Sequence, residues 1–130
     1  MAKTPKDLPN DVPSGRAIAI RQPYIEAILL GKKKYEYRSR PTQIRGRVYL
    51  YASLGEGSYE DFRSLEKLKE TLPRGVIVGS VEIVDCVEFG RNDYGYKLKN
   101  PKRYRKHFKP REQAQPCWFF PYGKPSNLRD

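Results

Sequence analysis

The sequence predicts an α+β, mainly β fold, a small curled sheet or partly open barrel with helices packed at its rim. Several short segments rich in tyrosine and β-branched residues alternate with period two, which is typical of strands. Two other segments have helical spacing. A long β-branched run at residues 75–88 contains Gly79, where we expect the bend or bulge that barrels use. With 130 residues, the chain has room for one such domain.

The first predicted elements follow one another closely. Residues 17–21 (AIAIR) form a short strand, and Pro23 then opens a helix that Gly31 ends as its C-cap. The apolar face of this helix consists of Ile25, Ile28 and Leu29. After the glycine, residues 33–38 (KKYEYR) alternate like a strand.

A third strand and a second helix follow a turn-rich loop. In residues 47–53 (RVYLYAS), Val48, Leu50 and Ala52 share one face, and Tyr49, Tyr51 and Ser53 share the other. Ser58 and Asp61 resemble a capping box, so we expect a second helix from there until Pro73. Its apolar residues are Phe62, Leu65, Leu68 and Leu72.

The rest of the chain contributes the long bent strand at 75–88, a basic excursion that begins after Gly90, and a last strand at 115–120 (QPCWFF). We find no internal repeat. The predicted organisation is a flexible or loosely draped N-terminal arm at 1–16, one domain at 17–121 and a C-terminal tail at 122–130.

Positive charge is concentrated in two segments of a chain whose formal net charge is +11. Residues 91–111 hold nine Lys or Arg against Asp93 alone, and residues 32–47 hold seven against Glu36 alone. Such segregation is typical of proteins that contact phosphates. We therefore expect the 91–111 segment to bind a nucleic-acid backbone through Arg91, Lys97, Lys99, Lys102, Arg103, Arg105, Lys106, Lys109 and Arg111.

Tyrosines are interleaved with these cations, namely Tyr35, Tyr37, Tyr49, Tyr51, Tyr94, Tyr96 and Tyr104. Cations for phosphates and rings for stacked bases are what single-stranded nucleic acid requires, and RNA or single-stranded DNA fits best. The alternative is that the tyrosines pack half-buried on a small barrel while the lysines keep it in solution.

The cysteines and histidine argue against a metal site. Cys86 and Cys117 form no C-x-x-C pair, and His107 is the single histidine. We expect no cofactor and two buried thiols in a reduced, cytoplasmic protein. The sequence has no long apolar stretch and no apolar signal core, so we expect no membrane contact.

Several motifs in order resemble the ASCH domain, the module first described in activating signal cointegrator 1. They are IRQPY at 20–24, G-x-K-x-x-E-x-R from Gly31 to Arg38, RGRVYLYAS at 45–53, LPRGVIVGSVEIVDC at 72–86 and the terminal PCWFF. The resemblance spans residues 17–121 and implies a PUA-like β-barrel with a cleft beside the first helix that receives RNA or a nucleotide. The ligand-binding residues that it implies are Gln22, Pro23, Tyr24, Lys33, Glu36, Arg38 and Ser39.

Glu36 and Arg38 are the centre of this motif. If Tyr35 and Tyr37 turn inward on a strand, Glu36 and Arg38 share its other face, because side chains alternate with period two. Glu36 would then accept a hydrogen bond from a base amino group, while Arg38 would donate hydrogen bonds from its planar guanidinium to phosphate or carbonyl oxygens. The alternative is a plain surface or structural ion pair.

Enzymatic activity is the second hypothesis, with Lys33 and Glu36 as candidate catalytic residues. A ribonuclease, stimulated by a divalent metal, would need a base and an acid near the scissile phosphate. The N4-acetylcytidine amidohydrolases that resemble this family place a threonine nucleophile where this chain has Glu36, which argues against that reaction. We therefore predict a nucleic-acid-binding module for single-stranded RNA or a nucleotide, with an RNA-processing enzyme and an interaction domain of a larger protein complex as alternatives.

Overall fold

A computed structural model describes residues 4–56 and 71–125 of the chain. The elements in this part are β1 (Ala17–Gln22), α1 (Tyr24–Leu29), β2 (Tyr35–Arg38), β3 (Gly46–Glu56), β4 (Val76–Gly90), β5 (Asp93–Phe108) and β6 (Trp118–Phe119). The strands form one sheet in the order β2-β5-β4-β3-β1-β6. Among these described strands, β1 and β3 pair in parallel and all other neighbours are antiparallel.

The sheet curls until its two ends come together. Arg38 on β2 donates a hydrogen bond from Nη2 to the carbonyl oxygen of Ala19 on β1, over 2.8 Å. Nearby, the rings of Tyr96 on β5 and Trp118 on β6 stack with their centroids 6.2 Å apart. These contacts bridge a seam between the two ends of the sheet. The mainly β, partly open barrel predicted from the sequence is confirmed.

Strand β3 lies between two apolar clusters. Val48, Leu50 and Ala52 pack in the first cluster, together with the buried face of α1. Tyr49 and Tyr51 belong to the second, which also contains side chains from β5 and β6. The predicted division of β3 into two faces is confirmed, and both faces are buried.

The N-terminal arm is draped over the second cluster. Leu8 and Val12 are buried there. Between them, the carboxylate of Asp11 accepts hydrogen bonds from the hydroxyls of Tyr104 at 2.6 Å and Ser80 at 3.0 Å. These contacts attach residues 4–16 to the barrel, and the domain boundary at residue 17 stays a prediction.

Two glycines act as the sequence indicates. Gly31 follows α1 with a φ of 77°, a left-handed conformation that ends the helix without strain. At Gly79 the register of β4 shifts against both neighbouring strands. A Cβ at this position would collide with the carbonyl oxygen of Lys102, so the predicted irregularity is also a place where β5 approaches closely.

The basic excursion is the prediction that the structure corrects. Residues 93–108 form a strand, β5, that pairs with β2 on one side and β4 on the other. Its alternation is interrupted at Asn100, whose φ is 53°, and at Pro101. Before this break Tyr96 and Leu98 face the first cluster, and after it the strand contributes to the second. Cations on the outward face concealed this pattern.

Other predicted boundaries are less accurate. The last strand was expected at 115–120 but consists of Trp118 and Phe119, since Cys117 has a φ of 68°. The predicted second helix lies mostly outside the described residues.

Candidate nucleic-acid interface

An open cleft of about 700 Å³ lies along the seam of the barrel. We call it the seam cleft. Its walls come from β1, the start of α1, β2, the end of β3 and the loop 114–117. The predicted ligand-binding residues that line it are Tyr24, Lys33, Glu36 and Arg38.

Glu36 and Arg38 do share a face, and they form one hydrogen-bonded unit. Arg38 Nε donates to Glu36 Oε2 over 2.8 Å while its Nη2 donates across the seam to Ala19. Glu36 is 7% exposed, and the Arg38 side chain is 25% exposed. The two residues therefore form a structural ion pair, which was one of the two alternatives drawn from the sequence. The pair also borders the cleft. The guanidinium retains N–H donors beyond the two that these contacts use.

Lys33 brings a second cation to the same carboxylate. Its backbone N–H donates to the carbonyl oxygen of Ala27, over 3.1 Å, which holds the residue at the end of α1. Its ammonium nitrogen lies 3.8 Å from Glu36 Oε1 and 4.9 Å from the centre of the Tyr37 ring. Arg21 also lines the cleft, so its lining contains three cations and the single carboxylate of Glu36, which Lys33 and Arg38 contact.

The expected direction of the tyrosines on β2 was wrong. Tyr37 is 56% exposed, and Tyr35 is only partly buried, whereas Glu36 is buried. The two tyrosines face outward, whereas Glu36 is the register partner of the buried Tyr96, whose hydroxyl donates to the carbonyl oxygen of Arg40. Period two still places Glu36 and Arg38 together, as expected.

Three other predicted ligand-binding residues lie outside the lining of the seam cleft. Gln22 is fully buried, donating to the Pro73 carbonyl at 3.0 Å and accepting from the backbone N–H of Glu26 at 3.2 Å. Pro23 is buried at the start of α1, and Ser39 is exposed after β2. A ligand role for these three stays a prediction.

The predicted backbone contacts of the 91–111 segment divide into two groups. Some form ion pairs within the chain, of which Arg103 with Glu26 is bidentate at 2.9 Å; the others are Lys102 with Asp11, Lys106 with Asp7 and Arg111 with Glu112. Within residues 4–56 and 71–125, no hydrogen bond or ion pair engages the side chains of Arg91, Lys97, Lys99, Arg105 and Lys109.

A second cavity, of about 380 Å³, lies beside the seam cleft. Four lysines line it, two from the segment before β2 and two from β5, namely Lys33, Lys34, Lys97 and Lys99. We call it the lysine groove. Because Lys33 lines both cavities, the groove and the cleft adjoin.

Comparison with known proteins agrees with this arrangement. The family model of the ASCH domain matches residues 18–121, most of the chain. The chain belongs to the ASCH domain family. This family is generally considered to be an RNA-binding, PUA-like one. A search of the curated proteins finds no significant match.

In this ASCH domain, four of the interleaved tyrosines are core residues rather than candidate stacking surfaces. Tyr49, Tyr51, Tyr96 and Tyr104 are buried in the two clusters. Burial raises the pKa of Tyr96 to about 12, because ionisation would place a charge in an apolar environment. The alternative, in which the tyrosines pack in the barrel, therefore holds for these four, of which Tyr51 also borders the seam cleft.

One wall of the cleft was missed in the sequence. The loop 114–117 provides Ala114, Gln115, Pro116 and Cys117. The loop was missed because the apolar and aromatic segment QPCWFF predicts a strand at 115–120. Both cysteines are partly buried, and burial raises the pKa of the Cys117 thiol. Trp118 packs against the first cluster rather than lining the cleft.

The described residues include no group of three or more His, Cys, Asp or Glu placed to hold a metal ion. Among the same residues, no helix is both long and apolar enough to cross a bilayer.

Proposed function

We propose that this ASCH domain is a nucleic-acid-binding module that holds single-stranded RNA or a nucleotide in the seam cleft. The observation that supports this most is the cation-rich lining of the cleft, in which Arg21, Lys33 and Arg38 accompany a single carboxylate, that of Glu36. The volume of about 700 Å³ is in the range of cavities that receive small organic ligands.

Each group of the motif has a role in this proposal. The free N–H donors of Arg38 contact a phosphate or carbonyl oxygen, in a direction fixed by its bonds to Glu36 and Ala19. Glu36 accepts a hydrogen bond from a base amino group or a ribose hydroxyl. Lys33, which is anchored through its backbone but has a flexible side chain, follows the ligand phosphate.

The lysine groove continues the path of the phosphate backbone. Lys97 and Lys99 have no internal partner among the described residues and face the same groove as Lys33 and Lys34. Binding a phosphate to Lys97 or Lys99 therefore breaks no ion pair within the described part of the chain. The cations already paired with Glu26, Asp7 or Asp11 would have to give up those partners, so we place the backbone in the groove.

The test is the affinity for a fluorescently labelled, random-sequence RNA octamer, measured by anisotropy. Lys33→Ala should lower the affinity about tenfold or more, because Lys33 lies between the cleft and the groove. Lys32→Ala is the matched control, since Lys32 is an exposed neighbour that lines neither cavity. Equal affinities of the two variants would contradict the proposal.

The same RNA distinguishes binding from catalysis. With magnesium present, we expect the octamer to stay intact over hours, because Glu36 is engaged by Arg38 and Lys33 rather than by a hydroxyl nucleophile. Cleavage that disappears in Lys33→Ala would instead support a ribonuclease.

A further inference from the structure

Three aromatic rings lie together on the outer face of the sheet, where β2, β5 and β4 are neighbours. Tyr35 and Tyr37 stack with centroids 6.1 Å apart, and Phe89 meets them at 5.7 and 6.0 Å. Phe89 is 52% exposed. We call these three residues the aromatic triad.

The triad depends on a glycine in the strand between its members. Gly95 on β5 is paired with Tyr37 on one side and Val87 on the other. A Cβ at Gly95 would lie 2.5 Å from Phe89 Cε2 and 3.0 Å from Tyr35 Cδ1. The missing side chain thus leaves the space in which Phe89 crosses β5 and reaches the tyrosines.

The triad joins the two cavities of the proposed interface. Tyr37 also lines the seam cleft, and Tyr35 also lines the lysine groove. The ammonium of Lys33 lies over the Tyr37 ring, and Lys97 is paired with Tyr35 in the register of β2 and β5. Exposed rings bordered by cations match the chemistry of a single strand, whose bases stack while its phosphates pair with lysines.

We propose that the aromatic triad is a base-stacking surface for the part of a single-stranded nucleic acid that leaves the seam cleft. This inference rests on the proposed function and extends it, because the ligand is then an oligonucleotide rather than one nucleotide. The bases lie on Phe89 and Tyr37, and the phosphates follow the cations of the adjoining lysine groove. Stacking on rings is tolerant of sequence, so the triad binds any unpaired base.

The test uses two octamers with the same phosphates, the random-sequence RNA and an abasic sugar–phosphate strand. Phe89→Ala should lower the affinity for the RNA about tenfold and leave the affinity for the abasic strand unchanged. Phe89→Tyr should retain the affinity, and Phe89→Leu should lose it, because an aliphatic side chain has no face for a base. Val84→Ala, at another exposed apolar position on β4, is the matched control and should bind like the wild type.

The outcomes separate this inference from the proposed function. If Phe89→Ala leaves RNA affinity unchanged, or weakens both strands equally, the triad is not a stacking surface. If Lys33→Ala has no effect while Phe89→Ala still weakens only the RNA, the triad stands and the cleft proposal fails. A wild-type protein that binds neither strand overturns both.

Discussion

Arg38 is the side chain that joins the two walls of the seam cleft. Its guanidinium contacts Glu36 on its own strand and the backbone of β1 at the same time. Because both bonds involve a charged group, each is expected to be stronger than a neutral hydrogen bond. The orientation of the ligand-binding donors and the closure of the barrel therefore depend on one residue.

Arg38→Lys tests this double role. Arginine makes the two contacts from separate nitrogens, Nε and Nη2, whereas lysine has one ammonium nitrogen and no planar fork, so we expect it to lose at least one of them. We expect the free energy of unfolding to fall by about 1–3 kcal/mol, measured by urea denaturation. Arg91→Lys, at an exposed position, should change it by less than about 0.5 kcal/mol. An equal effect of the two substitutions would show that the seam is not held by Arg38.

Cys117 reports occupancy of the cleft. It lines the cleft, and burial raises its pKa, so alkylation by iodoacetamide should be slow at neutral pH. Saturating RNA octamer should slow the alkylation of Cys117 further and leave that of Cys86 unchanged, since Cys86 does not line the cleft. Mass spectrometry of the modified peptides measures both rates. Protection of neither cysteine would contradict binding in the seam cleft.

At the scale of elements, β4 and β5 are the longest of the described strands, and their pairing contains several register shifts. Each has irregular pairing, and the shift at Gly79 lets β5 approach β4 closely. Gly79 also lies under Leu29 of α1, so the bend places the helix beside the seam. The bulge is thus linked to the position of Lys33 through α1.

Gly79→Ala and Gly90→Ala form a matched pair on the same strand. A Cβ at 79 meets the Lys102 backbone, whereas one at 90 meets nothing within 4 Å. We expect Gly79→Ala to lower the free energy of unfolding by about 1–3 kcal/mol or more, and Gly90→Ala to be nearly neutral. Thermal denaturation compares them directly. Similar melting temperatures would contradict the close approach of β5.

The sequence predicts those elements whose local residue pattern matches the burial that the fold gives them. Gly31 and the apolar face of α1 are of this kind, as is the alternation in β3. The orientation of Tyr35 and Tyr37 could not be predicted, because alternation alone does not say which face of β2 is inside. Strand β5 was missed since its outward cations and the break at Asn100 mask its period. The Arg38 contact to Ala19 depends on curvature, which no local pattern encodes.

For the whole molecule, the buried tyrosines predict sensitivity to alkali. Burial raises the pKa of Tyr96 and of Tyr122 to about 12, and burial also raises that of Tyr104. Phenols exposed by unfolding ionise near pH 10. Below pH 10 the phenols are neutral in both states and the folded state keeps its full stability, and it loses stability as the pH rises toward 12, because ionisation then favours the unfolded chain.

The free energy of unfolding should therefore fall steeply between pH 10 and pH 12, as measured by urea denaturation at several pH values. Tyr96→Phe removes one of the ionisable groups and should make the fall shallower. Complete ionisation of all tyrosines near pH 10 in the folded protein, seen in the ultraviolet absorbance, would contradict this account.

The most direct test of nucleic-acid binding is the salt dependence of the affinity for the random-sequence RNA octamer. Each phosphate contact of a single strand contributes about 0.7 to the slope of log affinity against log salt. The double variant Lys97→Ala, Lys99→Ala in the lysine groove should therefore reduce the slope by about 1.4. Lys102→Ala with Lys106→Ala removes the same charge from lysines that are paired with Asp11 and Asp7, and it should leave the slope unchanged. A flat salt response in the wild type, or equal slopes in the two double variants, would contradict a phosphate path through the groove.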